Sequence, residues 1–375
     1  MNKRYKPLLL SALILAPTTY AASPELSLSA LAGIDSNPYR LSELFIIDEA
    51  AFMKYKLKAK IPLTKNFSIK AKGMFQDFDD SAAEWGDNHN FDLRLDYRTG
   101  KAANRGGMHL TYRQVDKTYV SRTKAVTRTY YGFPLDDRHD YKQTNFNAYK
   151  NFKISKSFKN KIEANYRLRD YSDFEHPKIT DYDYQSIIIA DTLTHKISRK
   201  HKQALRLSYE DRQFINRMQK DSEGDNIDNT DLAYQYLEAG YQYSYKQSKK
   251  LSHKFFAEVT SRTDNGSGYY DTFTSEIGLG SDYQWQKKSS FSLDYSYRDF
   301  EYLREPERII GLDLEEDYTS ERKHTLKLAN VTHLPKWVND KTYFEVEYKY
   351  VNADSNKQEY QYDRHIFQTG IRMDF

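Results

Sequence analysis

The chain of 375 residues contains no cysteine. This absence excludes a disulfide framework and any metal site that depends on thiolate ligands. Beyond its N-terminal segment the chain also lacks an apolar run of about 20 residues, the length that a membrane-spanning helix needs. The low mean hydropathy is equally compatible with a barrel whose strands are apolar only at every second position. With 33 Tyr and 20 Phe, the chain is too aromatic to be a disordered polar chain.

Motifs for catalysis are missing as well. The ten His are scattered, and neither H-E-x-x-H nor G-x-S-x-G occurs. A barrel that hydrolyses lipids would need a Ser next to a His on its lipid-facing surface. His365 is the one His whose position is clearly outward, and no suitable Ser lies beside it in the sequence. We therefore expect no enzyme activity, no cofactor and no metal site, and a structural role for His365.

The N-terminus has the three parts of a secretory signal peptide. Lys3, Arg4 and Lys6 form a positive start, residues 8–16 are apolar, and residues 19–21 place small side chains at a cleavage site. Residues 1–21 are therefore predicted to be removed on export, which leaves residues 22–375 as one domain. Losing these three cations lowers the formal net charge from +4 to +1, so the basic composition gives no reason to expect a nucleic-acid partner.

Apolar and polar residues alternate along most of the remaining chain. Met53, Tyr55 and Leu57, for example, are interleaved with lysines. A period of two is typical of β-strands, and no period of 3.6 is sustained in competition with it. The pattern predicts sixteen strands, at 26–34, 53–61, 67–75, 91–97, 108–112, 146–154, 162–168, 182–197, 205–209, 237–245, 255–259, 277–285, 291–297, 326–328, 344–350 and 365–375.

Long and short connections between these strands alternate. The long ones are 77–90, 114–140, 213–231, 263–272 and 300–318, and the short ones include 64–66, 155–160, 246–251 and 287–290. Long external loops and short periplasmic turns are typical of an all-β, antiparallel, up-and-down transmembrane barrel. A soluble β-sandwich also has many short strands, but it does not expose so many apolar side chains on one face. Strands begin almost directly after the signal peptide, so no plug domain is predicted.

The final strand ends on an aromatic residue at an outward position. His365, Phe367, Thr369, Ile371, Met373 and Phe375 share one face, with Gln368, Gly370, Arg372 and Asp374 on the other. This ending resembles the terminal strand of Gram-negative outer-membrane β-barrels. The resemblance implies that Phe375 is part of the signal read by the barrel-assembly machinery, and that the protein lies in the outer membrane in contact with lipid and lipopolysaccharide.

A short motif near the start of the mature chain suggests a narrower family. Asp35, Ser36, Asn37, Pro38, Tyr39 and Arg40 follow the first strand. They resemble the D-[SD]-N-x-[YF]-R hairpin of a family of β-barrel porins that are associated with exopolysaccharide or capsule export. The resemblance implies a passive conduit for a secreted polysaccharide, with a polysaccharide synthesis and export system as its partner. The same residues also form a good generic turn.

A row of cations is the sharpest local feature within the strands. Charges at every second position share a face, and because the residues between them are apolar, these side chains are predicted to face the lumen. A cationic wall favours anions, although acids such as Glu163, Glu276, Asp282, Glu345 and Glu347 would balance it in the alternative interpretation. The predicted pore-lining residues are Lys54, Lys56, Lys58, Lys60, Lys70, Lys72, Arg94, Arg98 and Arg113.

The longest connection, 115–139, occupies the position of the loop that narrows the lumen in sixteen-stranded general porins. An inward fold would add a basic constriction formed by Lys117, Arg122, Lys124 and Arg128. Because residues 119–131 also alternate, the segment could equally extend two strands beyond the membrane. Two acidic loops lie around 77–87 and 221–231, and the spacing in the second does not match an EF-hand. Both are expected to be solvated, with weak divalent or lipopolysaccharide bridging as the alternative.

Tyrosines concentrate near the predicted strand ends. An amphipathic ring suits the membrane boundary, so they are predicted to form aromatic girdles, with a sugar-stacking track inside the pore as the alternative. The tyrosines in question are Tyr166, Tyr171, Tyr182, Tyr184, Tyr243, Tyr245, Tyr297, Tyr348 and Tyr350. For the whole protein, three functions remain: a polysaccharide-export channel, a diffusion porin for anionic solutes or oligosaccharides, and a barrel enzyme or surface structural protein.

Overall fold

The structure, a computed structural model, describes most of the chain after the predicted signal peptide. The described residues are 23–42, 49–79, 87–100, 104–117, 129–130, 133–134, 139–172, 182–303, 320–334 and 340–375. Residues 1–21 lie outside these ranges, as do the loop cations Arg122, Lys124 and Arg128. Among the described residues, no helix is long and apolar enough to cross a bilayer.

Sixteen antiparallel strands close into one barrel, in which each strand pairs with its neighbours in the chain and the first pairs with the last. This confirms the predicted fold class and strand number. The barrel strands are β1 (Glu25–Asp35), β2 (Ala50–Pro62), β3 (Phe67–Phe78), β4 (Asn88–Thr99), β5 (Gly106–Lys117), β8 (Tyr141–Lys153), β9 (Phe158–Tyr171), β10 (Tyr184–Lys196), β11 (His201–Phe214), β12 (Ala233–Lys246), β13 (Leu251–Asp264), β14 (Thr272–Gln286), β15 (Ser289–Tyr302), β16 (Glu321–His333), β17 (Thr342–Ser355) and β18 (Tyr362–Asp374).

Two very short strands, β6 (Thr129–Tyr130) and β7 (Phe133–Pro134), pair with each other in the long connection between β5 and β8. They form a sheet separate from the barrel. The two neighbouring barrel strands end at Lys117 and begin at Tyr141. The predicted constriction therefore falls mostly on residues outside the described ranges, and only Lys117 of its four cations belongs to a barrel strand.

The outer face of the barrel is apolar. Leu207, Leu237 and Leu279 are 52, 62 and 59% exposed, and apolar side chains at alternate positions of the other strands share this exposure. So large an apolar surface is unfavourable in water, whereas hydrocarbon tails cover it without cost. A continuous apolar belt on a closed barrel is the arrangement of outer-membrane proteins, so the protein is an outer-membrane β-barrel with this belt against lipid.

Several strands are longer than the alternation predicts. Strand β5 reaches Lys117, β11 reaches Phe214 and β15 reaches Tyr302, so parts of the predicted loops 114–140, 213–231 and 300–318 belong to strands. The reason is physical: above the lipid both faces of a strand meet polar surroundings, and the apolar–polar alternation that marks a strand in the sequence is lost.

Strands β1 and β18 meet at the seam that closes the barrel. Asp35 is fully buried, and Arg364 of β18 donates to both of its carboxylate oxygens, with Nε 2.9 Å from Oδ1. Asn37 accepts from the Leu41 amide at 2.9 Å and donates to the carbonyl oxygens of Leu41 and Asp363 at 2.7 and 3.2 Å. These contacts form a clasp, which we define as Asp35, Asn37 and Arg364.

The rest of the predicted family hairpin continues this clasp. The Ser36 hydroxyl accepts from the His365 amide at 2.8 Å, Tyr39 packs against a buried cluster around Phe52, and Pro38 begins the turn. Arg40 has a φ of +59°, a left-handed conformation that closes the turn. The six residues therefore have a structural role at the seam, whatever passes through the barrel.

Candidate functional site

The candidate site is the lumen, whose wall is formed by the inward-facing residues of each strand. The cross-strand register places Lys54, Lys56, Lys58 and Lys60 of β2 opposite Gln76, Met74, Lys72 and Lys70 of β3, on the face away from the apolar belt. Arg94 and Arg98 of β4 and Arg113 of β5 share that face. The structure thus brings all nine predicted pore-lining cations to one side of the lumen.

Five of these nine cations are not paired with a carboxylate among the described residues. Lys58 and Lys72 face each other directly across β2 and β3 and are both exposed, while Lys54 donates to the Gln368 amide oxygen at 3.2 Å. Two like charges placed opposite each other repel, and each ammonium therefore favours an anion from the solution. The five unpaired cations are Lys54, Lys56, Lys58, Lys72 and Arg98.

The other four are paired with three carboxylates, none of which is among the expected acids. Asp96 is almost fully buried and lies 2.7 Å from both Lys70 Nζ and Arg94 NH2. Glu25 pairs with Lys60, and Asp92 pairs with Arg113. Of the five acids that the sequence suggested, four form ion pairs elsewhere, for example Glu347 with Lys327, Glu345 with Arg372 and Asp282 with Lys254. The charge of this wall is therefore only partly balanced.

An acidic wall lies on the opposite side of the lumen. Glu238 of β12, Glu258 of β13 and Glu276 of β14 face inward, and Glu258 lies directly opposite Glu276 in the register. Glu238 pairs with Arg206 at 3.4 Å, and Arg298 lies opposite Glu276, so cations balance part of this wall. Strand β12 is eight of sixteen strands away from β2 in either direction around the barrel. Carboxylates facing ammonium groups create a field across the lumen that orients dipolar solutes.

Side-chain amides form a third part of the wall, next to Arg167 and Arg169 of β9. Gln143, Asn145 and Asn147 of β8 and Asn165 of β9 share the inward face, and Asn147 lies directly opposite Asn165. Side-chain amides both donate and accept hydrogen bonds. Gln143 and Asn147 are only 5 and 9% exposed, and Arg169 Nε donates to Gln143 Oε1 at 2.8 Å, so neighbouring side chains cover much of this amide surface.

At the external end of the lumen, aromatic rings and arginines pack into one cluster. The Arg212 guanidinium lies 4.5 Å from the ring centres of both Tyr184 and Tyr236. Arg262 lies 4.8 Å from the ring of Tyr234, and its Nε donates to the Tyr270 carbonyl at 2.8 Å. Such cation–π pairs stabilise packed side chains. They hold residues 215–232 and 265–271, which connect the strands here, against the barrel wall.

Arg217 belongs to the same cluster. Its NH2 donates to the Tyr270 hydroxyl at 3.0 Å, and its guanidinium lies 4.8 Å from that ring. Burial alone would lower the pKa of Arg217, but the oxygens of Tyr234, Tyr270 and Tyr182 raise it above its ordinary value. The side chain therefore remains charged, and it acts as a fixed link between the loop and the strands.

This cluster corrects part of the predicted girdle. Tyr171 and Tyr184 face inward, not toward lipid, and Tyr184 is only 2% exposed. Its ring is already covered by neighbours, so it offers no face on which a sugar ring could stack. The other predicted girdle tyrosines that lie in strands do face outward: Tyr166, Tyr243, Tyr245, Tyr297, Tyr348 and Tyr350.

Histidines join the outer girdle, and His365 is not the only one there. The Tyr348 hydroxyl lies 2.9 Å from His365 Nδ1, and the Tyr295 hydroxyl lies 2.9 Å from His324 Nδ1. His201 is similarly hydrogen-bonded to Tyr243. Aromatic rings with one polar edge suit the boundary between lipid and water. These contacts are consistent with the structural role predicted for His365.

Phe375, the residue predicted to be part of the barrel-assembly signal, lies at the surface. Phe375 is 51% exposed at the periplasmic end, and its amide donates to the Leu26 carbonyl at 2.8 Å, so its ring is available to another molecule.

In the acidic loops, the side chains of Asp221, Glu223 and Asp225 bring their carboxylate oxygens together, and Asp77 and Asp87 lie together with His89. In the first group Asp221 accepts from two backbone amides of the same turn, so its carboxylate stabilises the loop.

Comparisons with known proteins give the following. No family model and no curated protein matches the chain. Among solved structures, an anion-selective porin from Comamonas acidovorans is 12% identical with a TM-score of 0.46, covering 94% of this chain and 99% of that one. A bacterial polysaccharide outer-membrane secretin is 11% identical with a TM-score of 0.46, covering 94% and 97%. OccAB3 of Acinetobacter baumannii is 8% identical with a TM-score of 0.48, covering 94% and 99%. At such values the cargo of this chain must be argued from its own residues.

Proposed function

We propose that the protein is a passive outer-membrane channel and that it conducts a secreted polysaccharide. The observation that carries the channel is the lumen wall itself: a closed barrel of sixteen strands with polar and charged side chains on its inner face. A barrel of this size encloses an aqueous lumen unless something fills it. Energy and synthesis would come from partners at the inner membrane.

The hairpin motif at residues 35–40 supports a glycan as the cargo, because it resembles the hairpin of β-barrel porins associated with exopolysaccharide or capsule export. The amides of the lumen wall do not add to this support. Gln143 and Asn147 are only 5 and 9% exposed, so neighbouring side chains cover them and a passing polymer would not reach them.

A diffusion porin for anionic solutes is the second candidate, and the lysines favour it. Lys54, Lys56, Lys58 and Lys72 face the lumen without a carboxylate partner among the described residues. A cationic wall raises the local concentration of small anions in the same way as that of a polyanion. Phenotype separates the two functions: loss of surface polysaccharide on gene disruption supports export, and loss of growth on one anion or oligosaccharide supports uptake.

Conductance of the refolded barrel in a planar bilayer tests whether it is a channel at all. Under a salt gradient the reversal potential gives the ion selectivity. Changing Lys54, Lys56, Lys58 and Lys72 together to Gln should lower the ratio of anion to cation permeability by roughly twofold to tenfold, because four lysines without a directly paired carboxylate are removed from the wall. A matched change on the outer face of β8, Lys142→Gln with Lys150→Gln, should leave selectivity unchanged. A correctly folded barrel that stays silent would contradict the proposal.

A further inference from the structure

The two ends of the barrel carry opposite charge. The seven short links between barrel strands, at the periplasmic end, contain twelve Lys or Arg and one Asp. The eight links at the external end contain 27 Asp or Glu and eleven Lys or Arg. This difference creates a field along the lumen that draws anions to the periplasmic mouth.

The periplasmic cations are concentrated on one half of the rim. Four neighbouring turns between β8 and β15, with the strand ends beside them, hold twelve Lys or Arg and no Asp or Glu. We call this the basic arc. It consists of Lys153, Lys156, Lys159, Lys196, Arg199, Lys200, Lys202, Lys246, Lys249, Lys250, Lys287 and Lys288.

Within the basic arc the structure contains a groove of about 810 Å³. Five lysines line it: Lys200, Lys246, Lys249, Lys250 and Lys288. None of the five pairs with a carboxylate in the part of the chain that the structure describes. The one acid in the lining, Asp282, has its carboxylate 3.3 Å from Lys254 Nζ. Five unbalanced ammonium groups thus surround one open space.

The groove opens on the lumen side of the rim. Lys246 pairs with Ser252 in the register, and Ser252 pairs with Asp282. Ser252 is an even number of residues from Lys254 and Glu258, which face inward on the same strand, β13. Lys246, Ser252 and Asp282 therefore face inward as well. A molecule in the groove therefore lies at the entrance to the lumen, and not on the lipid-facing surface.

We propose that this groove captures a carboxylate-bearing glycan chain that arrives from the periplasm. The inference rests on the proposed channel and adds the charge of the cargo and the side from which it enters. An anionic chain would meet the basic arc first and then the lumen, while the acidic external loops would repel a chain returning from outside. The charge asymmetry therefore favours outward passage of a polyanion.

The lining favours a glycan over an acidic protein. Cores of protein–protein interfaces are depleted of Lys and rich in aromatic side chains, whereas this groove combines lysines with hydroxyl and amide groups from Ser248, Ser252, Ser290, Gln247 and Gln284. Lys presents a flexible point charge, while Arg fixes a carboxylate in a bidentate geometry. Flexible charges with hydroxyl partners suit a polymer that must be held loosely and then move on.

Polyanion binding and block provide the test, with oligogalacturonate as the probe. In the first measurement, fluorescently labelled oligogalacturonate is titrated onto the full mature barrel in nanodiscs of neutral lipid, and anisotropy gives the affinity. Lys249→Gln with Lys250→Gln should weaken binding roughly fivefold, the size expected for two exposed ion pairs, and added salt should weaken wild-type binding as well. The outer-face variant, Lys142→Gln with Lys150→Gln, removes the same charge and should bind like wild type.

In the second measurement, oligogalacturonate is added to either side of oriented channels in a bilayer. Half-block should need a lower concentration from the periplasmic side, and the turn variant should reduce that difference, while a neutral maltodextrin should show no such sidedness. Equal block from both sides, or equal binding by the turn variant (Lys249→Gln with Lys250→Gln) and the outer-face variant, would overturn the proposal that the groove captures a polyanion. Neither result would contradict the proposed channel. A silent bilayer overturns the proposed channel, and the nanodisc titration still decides whether the groove binds the polyanion.

Discussion

The clasp at the barrel seam and the lysine row on β2 lie on neighbouring strands, yet they hold charge in opposite ways. In the clasp, Asp35 is inaccessible to solvent and the Arg364 side chain is only 12% exposed, and each neutralises the other. In the row, Lys56 and Lys58 face the lumen without a carboxylate partner among the described residues. Charge that is buried and paired fixes the fold, whereas charge left unpaired toward the lumen is available to solutes.

The largest effect expected from this comparison is on stability. Arg364→Ala leaves the buried Asp35 carboxylate without its cation, and losing one partner of a buried pair costs about 3–5 kcal/mol. Urea unfolding in lipid vesicles measures this free energy. The control is Arg322→Ala, whose exposed partner Asp299 lies 3.9 Å away, and a surface pair of this kind contributes about 1 kcal/mol or less. Equal losses in the two variants would show that the clasp is no stronger than a surface pair.

A second substitution at the seam tests how closely β1 and β18 approach each other, and it leaves the charge unaltered. A Cβ at Gly370 would lie 2.0 Å from the Ala30 carbonyl oxygen and 2.7 Å from Leu31 Cα. Since both are backbone atoms, Gly370→Ala must separate β18 from β1, and we expect a loss of about 1–3 kcal/mol, as for other overpacked sites. At Gly240 the nearest atom would be 3.7 Å away, so Gly240→Ala should leave the free energy of unfolding unchanged or slightly raise it. The same unfolding assay would contradict the seam argument if Gly370→Ala were the milder change.

The comparison also shows which features could be predicted from the sequence. The number of strands could be predicted, because the alternation of apolar and polar residues is a local property that persists through all sixteen segments. It was weakest in β10, where Ile187, Ile188 and Ile189 are consecutive; Ile188 faces inward with Ala190, so both faces of that strand are partly apolar. The lysine row could be placed in the lumen for the same local reason.

Pairings between distant residues could not be predicted in this way. Asp35 and Arg364 are 329 residues apart in the chain, and alternation does not specify which side chains meet across a closed barrel. The same holds for Asp96, which takes Lys70 and Arg94 as partners in place of the acids expected to balance the row. The inward Tyr184 was missed because a tyrosine near a strand end suits either face. The basic arc was missed as well, because it is formed only when the barrel brings four separate short turns side by side at one end.

The smallest expected effect is the change in ion selectivity when charge is removed from the acidic wall. The direction of this change should be opposite to that of the lysine variant. Glu258 and Glu276 face each other across β13 and β14, and neither has an ion pair within the described residues. Changing both to Gln should raise the ratio of anion to cation permeability, opposite in sign to the lysine variant and smaller, since two charges change instead of four. Reversal potentials under the same salt gradient measure it. A shift in the same direction for both variants would show that the charges of these two walls do not set the ion selectivity of the lumen.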